Sequence, residues 1–190
     1  MLKRKAYDRL KLWLESKDAL LITGARQVGK SYLIREFGRE NFKHFIEINL
    51  YEQKEWIPIL EQVHSAEELL FRISAFTKED MVEGETLIFF DEIQYAKRLD
   101  LITLSKFLVE KGKYRYIFSG SMLGVELNNI VSWPTGYIQE FRMYPLDFEE
   151  FLWAVGLKQS VIAYLNDCFI KQIPVDQFIH EKIILNCKTN

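Results

Sequence analysis

A glycine-rich segment between a strand pattern and a helix pattern is the feature that most limits how this chain can fold. Residues 19–23 read Ala-Leu-Leu-Ile-Thr, a continuous apolar run typical of a strand buried on both faces of a sheet. Residues 24–31 read Gly-Ala-Arg-Gln-Val-Gly-Lys-Ser, and residues 31–37 continue with helical spacing. The pattern G-x-x-x-x-G-K-S/T is therefore matched in full, and a strand and a helix flank it as they do in phosphate-binding loops.

Each fixed position of this pattern meets a requirement of a bound triphosphate. Gly24 and Gly29 allow backbone conformations that bring the loop close to phosphates, and the N–H groups at the following helix start attract an anion. Lys30 adds a full positive charge, and the Ser31 hydroxyl suits Mg²⁺. The pattern therefore predicts binding of ATP with Mg²⁺. The residues expected to contact the nucleotide are Gly24, Ala25, Arg26, Gln27, Val28, Gly29, Lys30, Ser31 and Tyr32.

A second motif places two acids directly after a buried strand pattern. Residues 87–92 read Leu-Ile-Phe-Phe-Asp-Glu, so Asp91 is expected at the carboxyl end of a strand, where α/β sheets bind ligands. Such an ending is often only a solvated turn, but after a phosphate loop it indicates catalysis. Asp91 is predicted to support Mg²⁺, and Glu92 to polarise the water that attacks the γ-phosphate. The acid at position 92 favours hydrolysis over phosphoryl transfer to a hydroxyl.

A polar turn follows another strand pattern. Residues 116–118 read Tyr-Ile-Phe and lead into Ser119-Gly120-Ser121. In ATPases that have an extra strand between the two motif strands, a polar residue at the end of that strand senses the γ-phosphate. Ser119 and Ser121 are the candidates for this catalytic role, and an ordinary serine–glycine turn is the alternative.

Strand patterns alternate with helix patterns along the whole chain. This alternation predicts an α/β fold in which helices cover both faces of a parallel sheet. Gly38 is the expected C-cap of the helix after the phosphate loop, and Asp147 is the expected N-cap of a later helix. The other predicted helices cover residues 5–16, 65–76 (opened by a capping box), 99–111 and 160–185 (interrupted at Pro174). The predicted strands cover residues 19–23, 45–50, 86–90, 114–118 and 137–143.

The composition excludes several classes of protein. With 190 residues, 48% of them hydrophobic, and a net charge of −2, the chain suits one soluble domain and is not a polyelectrolyte that must bind nucleic acid. Cys168 and Cys187 lack a C-x-x-C spacing, which favours reduced thiols over a disulfide scaffold. The longest apolar runs are far too short to span a membrane. We therefore expect a cytoplasmic protein.

Four ordered motifs resemble a known family, the prokaryotic AAA-like ATPases. Their phosphate loop has the form G-x-R-Q-x-G-K-S/T, matched at residues 24–31, and their second motif, D-E-I-Q, is matched at residues 91–94. The turn at residues 119–121 and the Tyr-Pro-Leu and Glu-Glu-Phe segments within residues 144–151 are also similar to the family. The resemblance implies a P-loop NTPase core of the AAA type with five strands in the order 5-1-4-3-2.

The chain departs from this family in two places. Many relatives have a Gly-Arg pair before the fifth strand, whose arginine could act on a nucleotide, but this chain has Gly136-Tyr137 there. Arg142 is the candidate replacement. Relatives usually continue into a further carboxyl-terminal module that is partly nuclease-like or winged-helix-like. The resemblance therefore implies an ATP-binding core at residues 1–155 and a helical extension at residues 156–190, the start of a truncated module.

Three functions are open at this stage. The first is an ATPase that passes a conformational change to a partner, and the second is an ATP-binding switch that hydrolyses negligibly for lack of an arginine finger and a further module. The third, a small-molecule kinase, would need a lid rich in arginine, whereas the later arginines are dispersed at Arg98, Arg115 and Arg142.

A protein partner or self-association is expected, and binding of nucleic acid is suggested by family analogy alone. The resemblance assigns no role to Arg26 or Gln94.

Overall fold

A computed structural model describes residues 2–96, 101–121 and 134–189. Helices and strands alternate along most of this length. In chain order they are α1 (Lys5–Trp13), β1 (Ala19–Thr23), α2 (Lys30–Asn41), β2 (His44–Asn49), α3 (Trp56–Glu61), α4 (Ala66–Phe76), β3 (Thr86–Asp91), α5 (Leu101–Lys111), β4 (Arg115–Gly120), β5 (Ile138–Arg142), α6 (Phe148–Ala154), α7 (Gln159–Lys171) and α8 (Gln177–Thr189). A short 3₁₀ turn, Ile93–Tyr95, follows β3.

The five strands form one parallel sheet in the order β2-β3-β4-β1-β5. Read from the other edge, this order is 5-1-4-3-2, so the predicted α/β fold of the AAA type is confirmed. Thr23 at the end of β1 pairs with Gly120 of β4 and Arg142 of β5. Asn49 at the end of β2 pairs with Asp91 at the end of β3. This register brings the carboxyl ends of all five strands to one edge of the sheet.

Helices cover both faces of the sheet, which explains why the middle residues of its central strands are apolar. Every residue of β1 and β3 is buried. Side chains that alternate along a strand point to opposite faces. Leu20 and Ile22 belong to the core cluster of α1 and α2, whereas Leu21 belongs to the cluster of α3, α4 and α5. The same alternation separates Phe89 from Phe90 on β3.

Gly38 does not end the helix after the phosphate loop, contrary to the prediction. α2 continues to Asn41, and the N–H of Phe42 closes it by donating to the Gly38 carbonyl at 3.0 Å. A Cβ atom at position 38 would lie 2.4 Å from the ring of Phe45. The glycine is therefore required by the packing of α2 against the Phe45 side chain of β2 and not by helix termination.

Other element ends also differ from the sequence expectations. α1 is shorter than predicted, and the short helix α3 was not predicted. The Ser65 hydroxyl accepts a hydrogen bond from the N–H of Glu68 and caps α4 as expected. The Glu68 carboxylate, however, accepts from the N–H of His64, so the reciprocal half of the predicted capping box is absent among the described residues. Residues 99 and 100, predicted as the start of α5, lie outside the described part of the chain.

The chain divides into two compact units, Ala6–Pro145 and Met1–Lys5 with Leu146–Asn190. The first unit contains the whole sheet. The division predicted after residue 155 stays a prediction. No helix in the described part of the chain combines the length and the apolar character that crossing a membrane requires.

The second unit confirms the predicted cap at Asp147. Its side chain accepts from the N–H of Glu150, and the Glu150 carboxylate accepts in return from the N–H of Asp147, which is a complete capping box for α6. The same Glu150 carboxylate accepts from Arg4 Nε at 3.2 Å. α7 and α8 follow, with Pro174 between them as the sequence predicted.

Tyr116 on β4 carries a hydroxyl that is buried and has no hydrogen-bond partner among the described residues. Burial also raises the pKa of this phenol. Because an unpaired buried donor destabilises a fold, Tyr116→Phe is expected to raise the free energy of unfolding by about 1 kcal/mol. Urea unfolding measures this change, with Tyr114→Phe as a control at a half-buried position of the same segment. A lower free energy of unfolding in Tyr116→Phe would contradict the expectation.

Candidate nucleotide-binding site

The phosphate loop joins β1 to α2 and depends on glycine at two positions. Gly24 has a φ of +145°, and a Cβ atom there would lie 2.2 Å from the carbonyl oxygen of Met143. The chain after β5 comes this close because the N–H of Met143 donates to the Thr23 carbonyl at 2.7 Å. Gly29, directly before α2, has a left-handed backbone with a φ of 91°, and Gln27 has a φ of 63°. Residues other than glycine rarely adopt such angles, so the two glycines of the motif are structurally required.

Lys30 is folded onto the loop that precedes it. The residue is 5% exposed, and its Nζ donates to the carbonyl oxygens of Gly24 at 3.0 Å and Ala25 at 2.8 Å. Burial lowers the pKa of the Lys30 ammonium, and the negative charges of Glu92 and Asp91 act in the opposite direction. Lys30, the lysine predicted to bind phosphate, therefore lies inside the loop. Its ammonium is hydrogen-bonded to neutral carbonyl groups and is attracted by the negative charges of Glu92 and Asp91.

Asp91 lies at the end of β3 and is 1% exposed. Its carboxylate accepts hydrogen bonds from the Ser119 hydroxyl and from Asn49 Nδ2, the latter at 3.2 Å. Burial raises the pKa of Asp91, and the hydroxyls of Ser119 and Ser31 lower it. The parallel register of β3 and β4 thus joins the predicted metal-supporting acid to one predicted sensor serine, and the predicted metal-binding hydroxyl of Ser31 lies near the same carboxylate.

Glu92 lies directly after β3 in a left-handed conformation, with φ 55° and ψ 48°. Its Oε2 accepts hydrogen bonds from Ser121 Oγ at 2.9 Å and from Gln94 Nε2. The two predicted sensor serines therefore serve different acids, because Ser119 bonds to Asp91 and Ser121 bonds to Glu92.

Three other residues expected to contact the nucleotide lie in different surroundings. Val28 is buried in the core cluster of α1 and α2, where its side chain anchors the loop. Arg26 is exposed and its Nη2 donates to the hydroxyl of Tyr95 at 3.2 Å, and the ring of Tyr95 contacts that of Tyr51 with centroids 5.2 Å apart. Tyr32 is half exposed on the first turn of α2. A contact of each with nucleotide stays a prediction.

Two of the arginines considered from the sequence, Arg115 and Arg142, lie in the described part of the chain, and each lies over an aromatic ring. Arg115 donates to carbonyl groups at the end of α1 and lies over the ring of Trp13, so it holds that helix. Arg142 at the end of β5 lies over the ring of Tyr144. Arg98 lies outside the described residues.

Two residues of the hydrogen-bonded site were not assigned from the sequence. Asn49 was expected only as part of a strand, although its polar side chain at the carboxyl end of that strand was a usable signal. Gln94 was noted as a motif position without a role. Both become functional candidates because the register of β2 and β3 places Asn49 beside Asp91, and the 3₁₀ turn after β3 places Gln94 beside Glu92.

Comparison with known proteins agrees with this geometry. A family model described as an AAA domain matches residues 16–152. The Walker-type ATPase PabY2304 of Pyrococcus abyssi has a similar structure, with 21% identity, a TM-score of 0.58, and coverage of 97% of this chain and 63% of that one. A point mutant of RuvB from Thermotoga maritima aligns with 15% identity, a TM-score of 0.49, and coverage of 87% of this chain and 52% of that one. None of the curated proteins compared with the chain matches it.

The chain thus spans about 63% of the length of the Pyrococcus ATPase, and the likeness supports the same P-loop fold. The family model covers most of the chain and includes the phosphate loop, both acids and both serines. On this match, the chain belongs to the AAA domain family.

Proposed function

We propose that this protein binds ATP with Mg²⁺ and hydrolyses it to ADP and phosphate. The observation that carries the proposal is the buried Asp91 carboxylate, which accepts from the Ser119 hydroxyl at the carboxyl ends of the strands, with Lys30, Ser31 and Glu92 near it. A phosphate loop, a metal-supporting acid and a candidate base at one edge of the sheet form the minimum set for hydrolysis of a γ-phosphate.

The donor set fits Mg²⁺ held together with a triphosphate. Among the described residues, no group of three or more His, Cys, Asp or Glu side chains could hold a metal ion by itself. The Ser31 hydroxyl and the Asp91 carboxylate are hard oxygen donors, and the hydroxyl lies close enough to the carboxylate to lower its pKa. Mg²⁺ usually takes one or two such protein ligands, with phosphate oxygens and water completing its coordination. When bound, it would neutralise charge on the β- and γ-phosphates.

The loop is prepared for a phosphate anion. The bonds from Lys30 Nζ to the Gly24 and Ala25 carbonyls are bonds to neutral groups, and phosphate oxygens are stronger acceptors for an ammonium. Exchange of these partners would bring the ammonium onto the β- and γ-phosphates. Asn49 and Ser119 would keep the Asp91 carboxylate oriented while the Ser31 hydroxyl turns to Mg²⁺.

Glu92 supplies the base for the chemical step. As a water oxygen attacks the γ-phosphorus, Glu92 accepts a proton from that water, and the bond between the γ-phosphorus and the bridging oxygen to the β-phosphate breaks. The products are ADP and phosphate. We also propose that this cycle drives a conformational change passed to a protein partner or to a second copy of the chain in the cytoplasm.

The alternative is an ATP-binding switch that hydrolyses negligibly. The observation in its favour is the placement of the residues near β5, where an arginine could act on nucleotide in relatives. Tyr137 donates its hydroxyl to Glu110, and Arg142 lies over Tyr144. An arginine finger contributes several orders of magnitude to the rate of γ-phosphate cleavage, so its lack would leave binding intact and hydrolysis slow.

A single-turnover assay separates these functions. With the protein in excess over ATP and with Mg²⁺ present, we expect complete conversion to ADP and phosphate, and we expect EDTA to stop the conversion. Tight binding of MgATP without any ADP would favour the switch. Absence of MgATP binding would contradict both functions.

A further inference from the structure

Gln94 forms a closed hydrogen-bonded group with the proposed base. Its Nε2 donates to Glu92 Oε2 and, at 3.2 Å, to Ser121 Oγ. Ser121 Oγ donates in turn to the same Glu92 Oε2 at 2.9 Å. These three half-buried side chains, which we call the Glu92 cluster, come from the end of β3, the 3₁₀ turn after it and the residue that follows β4.

The orientation of the Gln94 amide follows from the charge of its neighbour. A carboxylate can only accept hydrogen bonds, so the NH₂ end of the amide must face Glu92. The opposite end, Oε1, is then buried and has no hydrogen-bond partner among the described residues. An unpaired buried carbonyl lowers stability, and such groups in native structures often mark functional positions. The bonds to Glu92 and Ser121 therefore orient the Gln94 amide, and they leave its carbonyl oxygen without a hydrogen-bond donor among the described residues.

The Glu92 carboxylate extends from a turn and is held by hydrogen bonds to one of its two oxygens. Glu92 has a left-handed conformation and immediately precedes a 3₁₀ helix of only three residues. Among the described residues, the hydrogen bonds to its carboxylate end on Oε2, and none of them ends on Oε1. The cluster thus fixes one carboxylate oxygen and leaves the other for a water molecule.

We propose that Gln94 is a positioning residue for hydrolysis, which holds the Glu92 carboxylate so that Oε1 faces the attacking water. Ser121 completes the support and connects the base to the end of β4, the strand that also carries Ser119. This inference rests on the proposed ATPase function. It assigns a role to the last residue of the Asp-Glu-Ile-Gln motif, and it assigns Ser121 to the base and not to the γ-phosphate.

The test is a double-mutant cycle measured by single-turnover and steady-state hydrolysis. Gln94→Ala is expected to lower kcat about 10-fold and to leave the KM for ATP unchanged, because the residue acts on the base and not on binding. In the Glu92→Gln background, Gln94→Ala is expected to have no further effect on kcat, because the group that it positions is already inactive. Gln139→Ala is the matched control, because Gln139 is an exposed glutamine that bonds to Ser16 and Asp18 near the amino end of β1.

Each outcome decides the inference. Equal losses of kcat in both backgrounds, or a rise in KM with kcat unchanged, would show that Gln94 does not act through the base and would overturn the inference. Wild-type kcat in Gln94→Ala, together with loss of activity in Glu92→Gln, would overturn the role of Gln94 and leave the proposed function intact. If the wild-type protein itself forms no ADP, both the proposed function and this inference fail.

Discussion

Lys30→Ala is expected to weaken binding of MgATP by on the order of 100-fold or more. The side chain is the only described lysine inside the phosphate loop, and its ammonium is buried beside carbonyl groups that phosphate oxygens would replace. A charge-assisted hydrogen bond contributes about 1.5–3 kcal/mol, and loss of two such bonds to phosphates gives a change of this size. Titration calorimetry with ATP and Mg²⁺ measures the dissociation constant directly.

Lys43→Ala is the matched control for this experiment. It removes the same charge at the opposite edge of the sheet, where Lys43 pairs with Glu85 just before β2 and β3 begin. The control is expected to bind MgATP as the wild type does, and circular dichroism of both variants shows that the fold is kept. If Lys30→Ala also binds MgATP with wild-type affinity, the nucleotide does not lie in this loop.

Much of the fold was predictable because burial on both sides of a parallel sheet leaves a clear pattern in sequence. β1 is apolar up to its final Thr23, and a helix pattern follows it. Its place in a βαβ unit could therefore be predicted from neighbouring residues alone. Gly38 was misread because its reason lies outside the helix, in the ring of Phe45 on another element. The short helix α3 was missed because six residues that include a proline give no helical period.

The site was predictable only as far as it is local. The phosphate loop is one continuous segment whose residues carry their own chemistry, so its pattern indicated the ligand. The different roles of Ser119 and Ser121 depend on which carboxylate each hydroxyl contacts on the neighbouring strand end. Asn49 and Gln94 likewise acquire a role only through the register of neighbouring strands and the left-handed turn at Glu92. No periodicity along the chain contains that information.

Glu92→Gln is expected to keep MgATP binding and to lower the single-turnover rate of hydrolysis by about 100-fold or more, the usual contribution of a general base. The substituted amide has the same shape, and its oxygen can still accept from Ser121 Oγ and Gln94 Nε2, so the local structure should persist. What it loses is the ability to take a proton from water. Quenched-flow measurement of ADP, with binding measured in parallel, separates the two effects.

Glu85→Gln is the control, because Glu85 directly precedes β3, at the end opposite Glu92, and pairs with exposed Lys43. Its hydrolysis rate should equal that of the wild type. Normal hydrolysis by Glu92→Gln would show that another group activates the water, and the assignment of the base would be wrong. A slow wild-type rate that Glu92→Gln does not reduce further would instead favour the ATP-binding switch. Removing the base has no measurable effect on a site that lacks the other groups needed for hydrolysis. The same variant therefore tests the base and distinguishes the two functions, which share the phosphate loop and differ in whether the bound ATP is hydrolysed.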